Sequence, residues 1–183
     1  GPHDNIIYRN TIRYNTSAGI SIGSSAGATS LRNWLVANSL YNNGAQGTLF
    51  NVYNGADNDA LASNQDMANR GLNYPEVTRA YGGTRKGWVE GRLRTLNGSY
   101  PLDVFSSAAP DPGFPRGEAE VFHRSYYSVV INNAPNNQNG VANFRVSFSA
   151  SPVQSLVGRV VTLTAADDVG NTSELSAPVA YLC

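Results

Sequence analysis

Two histidines, one cysteine and thirteen Asp and Glu residues are among the groups in this 183-residue chain that could do covalent or proton-transfer chemistry. A nucleophilic enzyme needs a base beside its nucleophile, and a glycosidase needs two facing carboxylates. His3 stands among the first residues. His123 sits in "VFHRSYY", where its neighbours indicate a surface or edge position on a strand. Cys183 is terminal and is the only cysteine, so no intrachain disulfide can form. No Gly-x-Ser-x-Gly elbow occurs. "GGTRKGW", residues 82–88, is basic and flanked by glycine, but it lacks the Gly-Lys-Ser/Thr half of a phosphate loop. These residues assemble no catalytic set, and the expectation is a non-catalytic protein.

Two ligand readings remain. Asp57, Asp59 and Asp66, in "NGADNDALASNQDMANRG", offer the oxygen atoms that Ca²⁺ favours. Their spacing matches no calcium loop, and a solvated loop with Asx-turns is the competing reading; no other cofactor is expected. Tyr8, Tyr14, Tyr41, Tyr53 and Trp34 crowd the first third of the chain, with asparagines between them. Such rings can stack on the apolar face of a sugar while neighbouring amides bond its hydroxyls, so these five are the candidate ligand-binding residues.

The elements that must position them follow from composition. Charged residues make up 14% of the chain, against roughly 25% in an average soluble protein. In their place stand 21 Asn and 18 Gly, with a single Lys and a single Met. Such a chain turns often and builds few helices. Basic and acidic residues cancel and form no basic stripe, which argues against nucleic acid as a partner. No apolar run approaches the roughly 18 residues of a membrane helix, so no membrane insertion is expected.

A repeat organises the first part. Residues 5–22 laid over 33–50, a shift of 28, bring "NIIYRNTIRYN" onto "NWLVANSLYNN" and "GISI" onto "GTLF". Asn5, Asn10 and Asn15 fall on Asn33, Asn38 and Asn43. Ile7, Ile12, Ile20 and Ile22 fall on Leu35, Leu40, Thr48 and Phe50. Short alternating strands punctuated by Asn at a fixed period describe stacked β turns. Asn tolerates left-handed backbone angles and is expected at the bends. Asn above Asn can also form a hydrogen-bonded ladder.

After residue 84 the style changes. "GWVEGRLRT", "YPLDVFSS", "AEVFHRSYYSVVI", "GVANFRVSF", "GRVVTLTAAD" and "APVAYLC" read as six or seven strands joined by Gly, Asn and Pro turns. That spacing favours a small all-β sandwich. Its expected core holds Val129, Val130 and Ile131 with Phe144, Val146, Phe148, Val160 and Leu163. In "YPLDVFSS", Leu102, Val104 and Ser106 alternate against Asp103 and Phe105. "TAADDVGNTSELSAPV" reads as strand, tight turn, strand. Asp167 accepts backbone N–H groups, Gly170 supplies a positive φ, Asn171 and Thr172 return the chain to strand, and Leu175 points inward. A cation or sugar site on Asp167, Asp168, Asn171 and Glu174 is the competing reading.

Two resemblances follow from these segments. "NTIRYNTSAGISI" and "NSLYNNGAQGTLF" resemble coils of the right-handed parallel β-helix repeats of bacterial secreted and surface proteins, the NosD-like repeats. "GWVEGRL", "YPLDVFSSAAPDP", "GEAEVF", "GVANFRVSF" and "VVTLTAADDVGNTSELSAPV" resemble the immunoglobulin-like β-sandwich that follows such repeats, with its Thr-Asp-x-x-Gly-Asn-Thr-Ser-Glu-Phe-Ser motif. Leu175 replaces the Phe, and Pro110 and Pro178 stand where many members carry cysteines.

The resemblance implies an all-β chain: about two coils of a right-handed parallel β-helix over residues 1–60, a linker or cap over 61–84, and an immunoglobulin-like sandwich over 85–183. It also implies an extracellular or cell-surface location. The role expected is that of a non-catalytic structural and binding region, an adhesin or fibre tip that contacts a glycan or a cell-surface protein. The alternative is the C-terminal fragment of a β-helix polysaccharide lyase or glycoside hydrolase. Two coils are fewer than the three or more that stacked repeats need. The chain therefore reads as the end of a longer helix, or else its short solenoid is covered by other copies in a homotrimer.

Overall fold

A computed structural model describes residues 3–23, 30–44, 48–51, 68–109, 118–136, 138–150 and 154–183. The protein is all-β, with 54% of it in strands and only 3% helical, as the Asn- and Gly-rich composition requires.

The first part holds six short strands in three parallel pairs. β1 (Ile6–Tyr8) pairs with β4 (Trp34–Val36), β2 (Thr11–Arg13) with β5 (Ser39–Tyr41), and β3 (Ile20–Gly23) with β6 (Thr48–Asn51). Each pairing runs at the 28-residue shift, with Ile7 opposite Leu35, Ile12 opposite Leu40 and Ile20 opposite Thr48. We call β1–β3 the upper turn and β4–β6 the lower turn.

The corners repeat as well, and here the reading of Asn changes. Positive φ falls on Asp4, Arg9 and Tyr14 in the upper turn, and on Arg32, Ala37 and Asn42 in the lower. Each pair is 28 residues apart, and each residue stands just before one of the ladder asparagines. Apart from Asn42, the left-handed residue is therefore not Asn but its predecessor. The kink turns the following Asn side chain toward its counterpart. Asn5 Nδ2 donates to Asn33 Oδ1 at 2.8 Å, Asn10 Nδ2 to Asn38 Oδ1 at 3.2 Å and Asn15 Nδ2 to Asn43 Oδ1 at 2.9 Å. The backbone N–H groups of Asn10 and Asn15 share those acceptors, and Asn38 and Asn43 donate back to the Ile7 and Ile12 carbonyls. A left-handed non-glycine residue costs about 1–2 kcal/mol, and it is kept here because the corner aligns several hydrogen bonds at once.

The second part is one curled, half-barrel sheet. Its strands are β7 (Glu76–Gly82), β8 (Lys86–Thr95), β9 (Gly98–Ser107), β10 (Val121–Ile131), β11 (Gly140–Ser149), β12 (Val160–Ala165) and β13 (Val179–Leu182). The order is β10-β9-β12-β13-β7-β8-β11. Residues 76–82, read as linker from the sequence, are β7 and belong to this sheet. All neighbours are antiparallel except β13 and β7, which run parallel through Tyr181–Ala80 and Leu182–Tyr81. The curl brings the two edge strands face to face. The His123 ring of β10 lies 5.3 Å from the Phe148 ring of β11, and Arg124 donates to the Ser147 carbonyl.

Inside the curl lie Val89, Leu93, Leu102, Val104, Val129, Ile131, Phe144, Val146, Phe148, Val161 and Leu163. Val130, expected inside, is 58% exposed. Strand alternation sends it to the opposite face from Val129 and Ile131. Strand β9 is buried on both faces. Leu102 and Val104 enter the sheet core, while Phe105 joins Ile20, Ile22, Leu35, Leu40, Ala119 and Leu175 in a second core inside the turns. Leu175 does point inward, but into the turns rather than into the sheet.

The lower edge of the turns is closed by side chains from the second part and by Asn69, which precedes β7. Arg32 N donates to Asn171 Oδ1 at 2.7 Å, Asn33 N to Asn69 Oδ1 at 2.9 Å and Leu35 N to Thr172 Oγ1 at 2.9 Å. Ala37 N donates to Asp103 Oδ2 at 2.8 Å and Asn42 N to Glu118 Oε1 at 2.5 Å. Leu40 exchanges both backbone bonds with Ala119. Five side-chain oxygens and one backbone bridge thus receive the N–H groups that a third turn's carbonyls would otherwise accept. A buried, unpaired backbone group costs about 1–3 kcal/mol, so this set decides whether the lower turn can be buried at all.

Candidate functional site

"ADDVGNTSELS" supplies much of that closure. Gly170, at φ 92°, makes the tight turn. Asp167 accepts from the N–H groups of Val169 and Asn171 and from Asn171 Nδ2. With Asp167 holding its amide, Asn171 aims Oδ1 at Arg32. The expected return to a full strand does not occur after the turn. A single bridge joins Ala166 to Thr172, and the hydroxyls of Ser173 and Ser176 accept from Ala165 N and Leu163 N. Asn171 and Glu174 are fully buried. They therefore do not join Asp168, which is exposed, in a common cation or sugar site. Among the described residues no cluster of three or more His, Cys, Asp or Glu could hold a metal ion.

Between the turns and the sheet lies a cleft of about 920 Å³. Small-molecule sites typically span roughly 300–1,000 Å³. Tyr8 and Arg9 enter it from the upper turn, and Trp34 and Leu35 from the lower. Asp103 comes from β9, Phe122, Ser125 and Ser128 from β10, and Asp168 from the 167–170 turn. Tyr8 and Trp34 are 52% and 40% exposed, which leaves part of each ring open to a ligand. The Arg9 guanidinium lies 5.0 Å from the centre of the Tyr8 ring, where the two attract. A Cβ placed on Gly170 would stand 3.6 Å from Trp34 Cβ, so that turn abuts the tryptophan. The Phe122 ring in the cleft wall meets the buried Phe105 ring at 5.7 Å.

Asp103 is the buried acid of this wall. Its carboxylate accepts from Ala37 N and from Ser125 Oγ at 2.6 Å. Burial pushes its pKa up, and those two hydrogen bonds pull the other way. Asp168 and Arg9 lie near the mouth with opposite charges. The cleft can therefore offer an aromatic platform, hydroxyls, a carboxylate and a guanidinium, which is the chemistry of a polyhydroxylated ligand.

Of the five aromatics named from the sequence, the four that are described do not form one surface. Tyr8 and Trp34 share the cleft. Tyr14 and Tyr41 stand together elsewhere around Arg13, whose guanidinium lies 5.2 and 5.7 Å from their rings and donates to the Tyr41 hydroxyl. Tyr53 and the candidate calcium ligands Asp57, Asp59 and Asp66 lie outside the described residues. Sequence reasoning missed Asp103, Ser125 and Ser128 as site residues. For Asp103 the signal was a lone acid inside the apolar run "YPLDVFSS".

His123 lies on the edge strand β10, as expected, but its half-buried ring faces inward. It packs on Phe148, and its Nε2 lies 2.7 Å from Ser106 Oγ. Burial, with a smaller contribution from the Arg159 charge, pushes its pKa down to about 4 against a hydrogen bond with the Ser149 backbone. A serine beside a neutral histidine has the spacing of a nucleophile and its base. Ser106, however, is fully buried, and its oxygen also accepts from Arg159 Nε at 2.9 Å. Arg159 in turn bonds Glu120 Oε2 at 2.6 Å. In this structure the group ties β9, β10 and the start of β12 together and is closed to a substrate.

No protein-family model matches the chain, and no curated protein matches its sequence.

Proposed function

We propose that the chain is a non-catalytic, extracellular binding region of a bacterial surface or secreted protein, of adhesin or fibre-tip type, whose cleft contacts a glycan. Its frame is about two coils of a right-handed parallel β-helix followed by an immunoglobulin-like β-sandwich. The in-register stacking at 28 residues supports the first element of that frame. The all-strand second half with its Gly-Asn-Thr-Ser-Glu turn supports the other.

One observation carries the functional reading. Tyr8 and Trp34, from successive turns, open onto the same cleft as Arg9, Asp103 and Asp168. A pyranose presents an apolar face and a rim of hydroxyls, and this lining offers a partner for each.

Glycan-array screening followed by fluorescence titration tests the proposal. A Trp88→Phe background leaves Trp34 as the only reporter. The expected result is saturable binding that changes Trp34 emission, at least tenfold weaker binding in Tyr8→Ala, and ligand recovered unaltered. Release of an unsaturated uronate product, seen by its ultraviolet absorbance, would replace this reading with a polysaccharide lyase. Binding that Tyr8→Ala leaves unchanged would remove the cleft from it.

A further inference from the structure

The turns lie against the outer side of β9 and β10, through Asp103, Phe105 and Phe122. The outer side of β7, β8 and β11 carries a different surface. Along β8, Gly87, Val89, Gly91, Leu93 and Thr95 are buried, so Lys86, Trp88, Glu90, Arg92 and Arg94 point outward. The register sets Tyr81 and Ser147 beside Trp88, Arg79 and Arg145 beside Glu90, and Glu76 and Asn143 beside Arg92. Residues opposed in this way share one face. With Arg85, exposed just before β8, six of the chain's thirteen cations stand here against two of its thirteen acids. Positions 79 to 145 supply them, and strand pairing alone brings them together, so the sequence shows no basic stripe.

Both carboxylates are engaged within the face. Glu90 Oε1 accepts from the Tyr81 hydroxyl at 2.6 Å and lies 3.3 Å from Arg145 Nε, and Arg92 donates to Glu76 at 2.6 Å. Arg79, Arg85, Lys86 and Arg94 enter no ion pair among the described residues. The guanidinium groups of Arg79 and Arg145 each lie 4.3 Å from a ring centre, that of Tyr81 and that of Trp88 respectively. Cation–π attraction holds them in place while Arg145 stays 55% exposed. Positive charge is thus concentrated, fixed and open to solvent on one face of a chain with no net charge.

We infer that this face is a second binding surface, separate from the cleft, and that it takes an acidic polysaccharide whose sulfate or carboxylate groups sit on Arg79, Arg145, Lys86 and Arg94. Charge complementarity selects a polyanion. Five of the six cations are Arg, whose planar fork fits two oxygens of one anionic group. From Lys86 to Arg94 the outward row runs about 27 Å at roughly 3.4 Å per residue, which suits an extended polymer better than a single ion. A single-stranded nucleic acid needs open ring faces on which its bases stack. Here the Arg79 and Arg145 guanidinium groups already lie over Tyr81 and Trp88. A lipid surface is held by apolar side chains that insert beside the basic ones, and Trp88 at the centre of this face is partnered by Arg145 instead. The inference is independent of the cleft and its ligand.

Dextran sulfate is the probe, titrated into a Trp34→Phe chain in which Trp88 is the only tryptophan. The expected result is a saturable change in Trp88 emission, with binding at least about tenfold weaker when salt rises from about 0.05 to about 0.5 M. Arg79→Gln with Arg145→Gln should weaken binding at least about tenfold at an unchanged melting temperature. Lys86→Gln with Arg94→Gln, which touches neither ring, should also weaken it, and Glu76→Gln should tighten it. Tyr8→Ala should leave it as it was, so the cleft and this face are read separately. Equal binding of uncharged dextran, or no binding of dextran sulfate at low salt, would overturn the inference. So would binding that both double variants leave intact. Tighter binding, at matched charge, of a single-stranded oligonucleotide or of phosphatidylserine vesicles would replace the polysaccharide with that partner.

Discussion

The upper and lower turns share one pattern, one spacing and one set of corner conformations, yet their asparagines have opposite fates. Asn38 is 3% exposed and makes three hydrogen bonds to the turn above. Asn10 is exposed and makes the bonds of a ladder's last rung. The difference lies in what covers each turn. The lower turn has the upper on one side and the side chains of Asn69, Asp103, Glu118, Asn171 and Thr172 on the other. In stacked β turns, the period belongs to the sequence and burial belongs to the neighbours.

Four changes test that contrast, from the largest expected effect to the smallest. Leu175→Ala empties a fully buried position where the turns meet the sheet and should cost about 3 kcal/mol, as large-to-small core changes do. Urea unfolding checks the size, and exchange at Leu35 and Leu40 should rise before exchange at Leu93.

Acid acts next, and differently on the two regions. His123 titrates near 6.5 when unfolded and about 4 when folded. Its contribution is therefore complete above pH 6.5 and is lost as pH falls toward 4, by about 3 kcal/mol at 1.36 kcal/mol per unit. Asp103 works in the opposite sense. Its folded pKa is raised, so its burial penalty grows as pH rises above the ordinary carboxylate range. Unfolding midpoints across pH 4–7 should fall with acid in the native chain. The fall should be smaller in His123→Gln and steeper in Asp103→Asn.

Asn38→Ala strands Asn10 N and the Ile7 carbonyl and should cost about 2 kcal/mol, whereas Asn10→Ala should cost about 1 kcal/mol or less. Equal losses in denaturant titrations would break the contrast between buried and terminal rungs. The smallest effect has the opposite sign. Ala37→Gly, at φ 55°, should stabilise by up to about 1 kcal/mol, because glycine occupies the left-handed region without a Cβ clash.

How much of this was legible in the sequence follows from where the information sits. The 28-residue period was legible because Asn and Ile recur within a few dozen residues, and the strands pair at that shift. Two turn signals, Gly170 and the N–H-accepting Asp167, were legible because their partners lie within four residues. The closure of the lower edge was not. Its acceptors come from positions 69, 103, 118, 171 and 172, and their common target appears only once the sheet is folded against the turns. Asp103 shows the difficulty best. On a strand with one wet face it reads as the outward residue, and only the second core behind Phe105 makes that face buried. Val130 misled for the opposite reason, because three consecutive β-branched residues hide the alternation that exposes the middle one. The cleft shares this limit. Tyr8 and Trp34 could be named, but the residues that complete it come from β9, β10 and the 167–170 turn.

Nuclear Overhauser contacts in the intact chain test the stacking most directly. Cross-strand signals from Ile7 to Leu35 and from Ile12 to Leu40, with a further set from Leu40 to Ala119, are the predicted result. Their absence in a folded protein whose β8–β11 contacts are present would contradict it.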